Sequence, residues 1–182
     1  MPQPEPPRGP DALHAPWRLE YLESMDAAEK QGGPPAPSSG SFLLDAWRAP
    51  ADDHTNHVVH RGRFGLIMLN KFPYANGHLL VALGEPRPTL LDYAPEQRAE
   101  LWKLVDRAAD LLQRTLQPQG INLGINQGRA AGAGVPQHLH AHLVPRWAGD
   151  VNFFTVVGNI RVIPSSLDMM ADRFRQTAAT MP

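Results

Sequence analysis

The chain contains no cysteine, which excludes disulfides and thiolate zinc sites. It also lacks a large excess of either charge, because it contains 17 lysines and arginines and 18 acidic residues, which gives a formal net charge of -1. Proteins that bind nucleic acid usually carry a basic surface. No stretch approaches the ~20 apolar residues of a membrane span, and the N-terminus has no apolar run typical of a secretory signal. We therefore expect a cytoplasmic protein without nucleic-acid or membrane partners.

Proline and glycine are concentrated near the N-terminus. Residues 1–16 are rich in proline, and residues 31–41 read QGGPPAPSSGS. Such compositions are typical of flexible or extended chain. We therefore expect residues 1–41 to form a flexible N-terminal segment and residues 42–182 to form one compact domain.

The rest of the sequence alternates short apolar strands with one strongly amphipathic helix. Leucine, valine and alanine recur at three- and four-residue spacing over residues 95–116, which predicts a long helix. A second helix is predicted from about Ser166. Strands are predicted near residues 58–60, 64–69, 78–83, 121–127, 138–144 and 156–163. This pattern predicts an α+β fold with an antiparallel sheet.

Three histidines stand at alternate positions in the strand QHLHAHLV: His138, His140 and His142. A strand rises ~3.3 Å per residue and alternates faces, so these imidazoles are expected on one face, roughly 6.6 Å apart. The intervening apolar side chains, which are Leu139, Ala141 and Leu143, are then expected to face the core.

Three interpretations of this histidine face are open. It could be a solvent-exposed polar face, or a metal site, since His-x-His pairs often bind zinc. Neighbouring side chains on one strand cannot easily supply three ligands to one ion, however. Nucleophilic or acid–base catalysis is favoured, because the ordinary pKa of histidine is about 6.5.

A short glycine- and alanine-rich loop, GRAAGAG, precedes the histidine strand at residues 128–134. Small residues leave backbone N–H groups accessible, and such groups can wrap an anion. Most loops of this composition are only connections. Because this one leads directly into the histidine face, it suggests a phosphate site at Gly132, Ala133 and Gly134.

At this point the sequence resembles the histidine-triad (HIT) nucleotide hydrolase and transferase family. The alternating histidines with two further apolar positions match the family signature. A second match is residues 70–81, where Asn70 and a proline precede Gly77-His78, and a third is Gln127, eleven residues before His138. The continuation VPRWAGDVNF resembles a narrower branch that includes bacterial diadenosine tetraphosphate phosphorylases, also described as ATP adenylyltransferases.

The resemblance implies a HIT-like catalytic domain with a five-stranded antiparallel sheet, one long helix and a C-terminal helix. It implies a homodimer that cleaves an adenine dinucleoside polyphosphate through a nucleotidyl-histidine. His140 would be the nucleophile, His142 the proton donor, and His138 and His142 would contact phosphate oxygens. Other residues expected at the substrate are Asn70 at the ribose, Gln127 at the phosphate, and His78 behind the triad.

The resemblance also marks two departures. Many relatives carry a cysteine pair near the domain start that helps bind zinc, and here that stretch reads SFLL from Ser41. No zinc is therefore expected there, no cofactor is expected at the triad, and a divalent cation is expected only as a companion of the nucleotide. Hydrolases of the family often carry glutamine where this chain has Gly134, which suggests phosphate in place of water as acceptor. Two alternative functions stay open: a nucleoside phosphoramidate hydrolase, and a nucleotide-binding regulatory module with little turnover.

Overall fold

The computed structural model describes residues 39–150 and 163–182. These residues form an antiparallel sheet of five strands with three α-helices and short 3-10 turns. The strands are β1 Val58–Arg61, β2 Gly65–Leu69, β3 Leu79–Leu83, β4 Gly120–Ile125 and β5 His140–Arg146, and the helices are α1 Phe42–Arg48, α2 Pro95–Leu116 and α3 Leu167–Thr180. The predicted α+β fold is confirmed.

The sheet has the order β1-β2-β3-β5-β4, so the histidine strand β5 lies inside the sheet between β3 and β4. β5 begins at His140, two residues later than predicted, and His138 precedes it. β4 ends at Ile125, so Gln127 lies beyond its end. The predicted strand over residues 156–163 falls, apart from Ile163, outside the described residues.

The two faces of the sheet are buried differently. Helices α2 and α3 cover one face, where the larger core includes Leu139, Ala141 and Leu143, as predicted. Helix α1 contributes Leu43 and Ala46 to a smaller core on the opposite face. Because successive side chains of a strand alternate, His140 and His142 lie on this second face.

Helix α1 was not predicted, and it is the first element of the described residues. Ser41 caps it by accepting a hydrogen bond from the Leu44 N–H at 3.3 Å, and Ser41 is only 1% exposed. This buried cap packs with the described domain, and the predicted boundary at Phe42 stays a prediction. Residues 1–38 of the predicted flexible segment lie outside the described residues.

No helix in the described part of the chain is both long and apolar enough to cross a membrane.

Candidate active site

The site is centred on two histidines of β5. His140 is paired with Ala82 of β3, and His142 is paired with Leu80 of β3 and Gly124 of β4. Their ring centroids lie 4.8 Å apart with the planes tilted by 53°. A central strand with partners on both sides holds these rings in fixed positions relative to each other.

His140 is oriented by its own strand. Its Nδ1 donates a hydrogen bond to the backbone carbonyl of His138 at 2.9 Å. Since a carbonyl oxygen can only accept, the proton of the neutral ring lies on Nδ1 and the lone pair on Nε2. The side chain is 5% exposed, and this burial lowers its pKa below the usual 6.5. The ring is therefore neutral and nucleophilic at neutral pH.

His138 lies behind His140 and not beside it. It is fully buried, its Nε2 donates to the Leu83 carbonyl at 2.7 Å, and its Nδ1 lies 2.8 Å from the Ser41 hydroxyl. Burial, and to a smaller extent His140, lowers its pKa. Both ring nitrogens thus bind protein groups, and the expected contact between His138 and phosphate oxygens stays a prediction.

A chain of hydrogen bonds fixes the protonation of His142. The backbone N–H of Tyr74 donates to Nδ1 of His78 at 3.1 Å, so the proton of neutral His78 lies on Nε2. That Nε2 is 3.0 Å from Nδ1 of His142. His142 must then accept at Nδ1 and carry its own proton on Nε2. His78 accordingly lies behind His142, in contact with its Nδ1.

Gly77 allows His78 to reach this position. Its φ of 83° is in the left-handed region, and a Cβ there would collide with the Leu116 side chain. The next residue, His78, is fully buried and starts the approach to β3. The Gly-His pair in the sequence therefore marks a tight turn that delivers a buried imidazole.

Asn70 supports the same turn. Its Oδ1 accepts from the Phe72 N–H at 3.0 Å, and its Nδ2 lies 3.3 Å from Nδ1 of His78. The structure thus places Asn70 against His78. Gln127 lies farther out, where its Oε1 accepts from the Leu90 N–H at 2.9 Å.

The glycine-rich loop is closed by its own hydrogen bonds. Residues Arg129–Ala131 form a 3-10 turn that ends at Gly132, whose φ is 83°. The N–H groups of Gly132 and Ala133 donate to the carbonyls of Arg129 and Gly128, at 2.9 and 3.2 Å. These two N–H groups are therefore used within the loop, and a phosphate site at Gly132, Ala133 and Gly134 stays a prediction.

Within residues 39–150 and 163–182, no three histidine or acidic side chains are arranged to hold a metal ion. The zinc implied by the resemblance does not fit the domain start either. Ser41 offers a hydroxyl and Leu44 an aliphatic side chain, and neither is a ligand of structural zinc.

Comparison with known proteins agrees with this geometry. The HIT domain matches residues 53–149. The chain belongs to the HIT family. It is 33% identical over 155 residues to the AP-4-A phosphorylase of Mycobacterium tuberculosis, covering 85% of this chain and 77% of the relative.

More distant HIT relatives share parts of the chain. The asymmetrical bis(5'-nucleosyl)-tetraphosphatase of Schizosaccharomyces pombe is 30% identical over 95 residues, covering 52% of each protein. A Zn-bound histidine triad family protein from Mycobacterium smegmatis superimposes with a TM-score of 0.60 at 27% identity, covering 73% of this chain and 91% of that one.

Three contributors to this HIT site were missed from the sequence: Ser41, the Leu83 carbonyl and the Tyr74 N–H. Backbone groups carry no residue-type signal, so only the end of β3 could have revealed the Leu83 carbonyl, and only the conformation of the loop between β2 and β3 could have revealed the Tyr74 N–H. Ser41 had a weak signal, because serine directly before an apolar run is typical of a helix N-cap.

The buried histidines predict that acid destabilises the protein. Burial lowers the pKa of His140 and His138, and burial with Arg107 lowers that of His60. As the pH falls below about 6.5, the unfolded chain binds protons that the folded protein does not, so stability present at neutral pH is lost. The melting temperature should fall between about pH 7.5 and pH 5.5.

The matched variants are His140→Asn and His54→Asn, since the His54 side chain is 70% exposed. The first should weaken the acid dependence and the second should leave it unchanged. A melting temperature that is constant over this range, or equal effects of both variants, would contradict the account.

Proposed function

We propose that this enzyme cleaves a phosphoanhydride bond of a dinucleoside polyphosphate, such as diadenosine tetraphosphate, through a nucleotidyl-histidine at His140. The observation that carries the proposal is the pair of opposite tautomers. His140 has its lone pair on Nε2, and His142, 4.8 Å away between ring centroids, has its proton on Nε2. A nucleophile and a hydrogen-bond donor thus stand side by side. The named activities of the M. tuberculosis and S. pombe relatives support the substrate class.

In the first step, Nε2 of His140 attacks the α-phosphorus, and the bond from phosphorus to the bridging oxygen breaks. His142 donates a hydrogen bond from Nε2 to that oxygen and keeps its proton, so the hydrogen bond stabilises the negative charge that the leaving polyphosphate takes up. The His140 ring becomes positively charged as the P–N bond forms. Its hydrogen bond to the His138 carbonyl then becomes charge-assisted, and so it stabilises the intermediate more than the resting enzyme.

In the second step, an acceptor replaces His140 on phosphorus. Inorganic phosphate attacks through an anionic oxygen, whereas an attacking water releases its proton to solvent, and His142 keeps its Nε2 proton throughout. The P–N bond breaks, and its electron pair returns to Nε2 of His140. Both histidines end in their starting protonation states, and neither step requires a metal at the triad.

The surrounding residues divide between support and substrate binding. We propose that Asn70 acts mainly by holding His78, since its amide contacts that ring, while still reaching ribose hydroxyls. Gln127 accepts at Oε1 from Leu90, so its amide N–H group is the end proposed to face a phosphate oxygen. The homodimer, and a divalent cation that enters with the nucleotide, belong to the same proposal.

Removing the nucleophile should abolish turnover. His140→Asn and His140→Ala should each lower kcat by more than a thousandfold, because losing a covalent route costs several kcal/mol at ~1.4 kcal/mol per tenfold. Release of nucleotides from diadenosine tetraphosphate is the measurement, with exposed His54→Asn as the control. Turnover within tenfold of the wild type, in a folded His140 variant, would contradict the assignment of the nucleophile.

The acceptor can be identified on one chromatogram. Gly134 stands where hydrolases of the family often carry glutamine, and lacking that side chain leaves room beside the phosphorus for inorganic phosphate. With diadenosine tetraphosphate and millimolar phosphate, we expect ATP and ADP, because phosphate attacking the adenylyl-enzyme gives ADP. Water as acceptor gives ATP and AMP. AMP as the sole partner of ATP would overturn phosphorolysis and leave the histidine chemistry intact.

A further inference from the structure

Ser41 lies at the junction between the domain start and the histidine site. It is the N-cap of α1, it is 1% exposed, and its Oγ accepts from the Leu44 N–H at 3.3 Å. The same Oγ lies 2.8 Å from Nδ1 of His138, 97 residues away in sequence. One buried hydroxyl therefore serves both a helix end and a histidine of the triad.

The direction of the second hydrogen bond follows from the other side of the His138 ring. The Leu83 carbonyl, 2.7 Å from Nε2, can only accept, so Nε2 carries the proton. Nδ1 of the neutral ring must then accept, and the Ser41 hydroxyl must donate. The hydroxyl thus has a defined role as donor to the ring and as acceptor from α1.

His138 in turn orients His140. Its ring is held at both nitrogens, by α1 through Ser41 and by β3 through Leu83, while its backbone carbonyl accepts the Nδ1 proton of His140 at 2.9 Å. If the ring loses one of its two anchors, the backbone of His138 is less firmly held. The tautomer of His140 and the orientation of its imidazole ring depend on that carbonyl.

The same segment carries the clearest departure from the family. Relatives with a cysteine pair at this position bind zinc there, whereas Ser41 and Leu44 do not fit such a site. The side-chain amide of Gln137 also donates to the Gly40 carbonyl next to Ser41. Hydrogen bonds therefore connect the domain start to the residues that lead into the triad.

We propose that Ser41 is a positioning residue for His140, acting through the ring of His138, and that this hydrogen bond ties the domain start to the triad without a metal. The inference rests on the proposed function only for the role of His140 as nucleophile. Ser41 itself touches neither substrate nor the reacting atoms.

The chain offers a matched control for the capping role of Ser41. Ser166 caps α3 in the same way, with Oγ accepting from the Met169 N–H at 3.2 Å. Each alanine variant loses one such capping hydrogen bond and should lower the melting temperature. Ser41→Ala and Ser166→Ala therefore differ in the hydrogen bond to His138 and in burial, since Ser41 is buried and Ser166 is exposed. Ser41→Cys keeps the side-chain volume with a weaker donor, and it replaces the alanine variant if that variant does not fold.

The first measurement is steady-state kinetics on diadenosine tetraphosphate with the full-length chain. Ser41→Ala should lower kcat about tenfold, which corresponds to ~1.4 kcal/mol, with KM within twofold. Ser41→Cys should fall between alanine and the wild type, and Ser166→Ala should keep the wild-type kcat. Equal losses of kcat in the two alanine variants, or an unchanged kcat in Ser41→Ala, would overturn the proposal.

The second measurement needs no substrate, so it separates this inference from the proposed function. Nitrogen-15 NMR of the imidazoles should show His138 protonated at Nε2 and His140 at Nδ1 in the wild type. Ser41→Ala should shift the Nδ1 resonance of His138 and broaden the Nδ1 proton of His140, whereas Ser166→Ala should not. Unchanged imidazole signals in Ser41→Ala, or a stoichiometric zinc content in the purified wild type, would overturn the inference even if the enzyme is active.

Discussion

The hydrogen bond from Nδ1 of His140 to the backbone carbonyl of His138 is the contact on which the rest of the site depends. It sets the tautomer of His140, and the tautomer decides which nitrogen can attack. The acceptor is only two residues away, and it lies just before β5 begins at His140. The His138 carbonyl lies outside the β3–β5 pairing, because the first paired residue along β5 is His140, opposite Ala82. The His140 imidazole can therefore bond to this carbonyl.

The protonation of the whole site is set by backbone groups that cannot change roles. The Leu83 carbonyl only accepts and the Tyr74 N–H only donates, so each fixes which nitrogen of the contacted imidazole carries the proton. Because His78 also contacts His142, the tautomer of His78 fixes the tautomer of His142. An unsatisfied buried polar group costs ~1–3 kcal/mol, so alternative tautomers are disfavoured by folding itself. Burial acts in the same direction, because it lowers the pKa of His140 and His138 and keeps both rings neutral.

Regular periodicity made most of the fold predictable from sequence. The helix over residues 95–116 and the apolar alternation of Leu139, Ala141 and Leu143 are found as predicted. The sequence was less informative about residues whose environment depends on distant chain segments. Alternation alone grouped His138 with His140 and His142, although contacts with Ser41 and Leu83 bury it behind them. The Gly132 loop had an anion-binding composition, but an internal 3-10 turn uses its N–H groups.

Mass spectrometry of the protein after brief incubation with diadenosine tetraphosphate tests the central claim most directly. Without an added acceptor and with rapid acid-free quenching, the account predicts one added nucleoside monophosphate per chain, located by peptide mapping on His140 and absent from His140→Asn. Turnover without any adduct on His140, or an adduct on another residue, would contradict it.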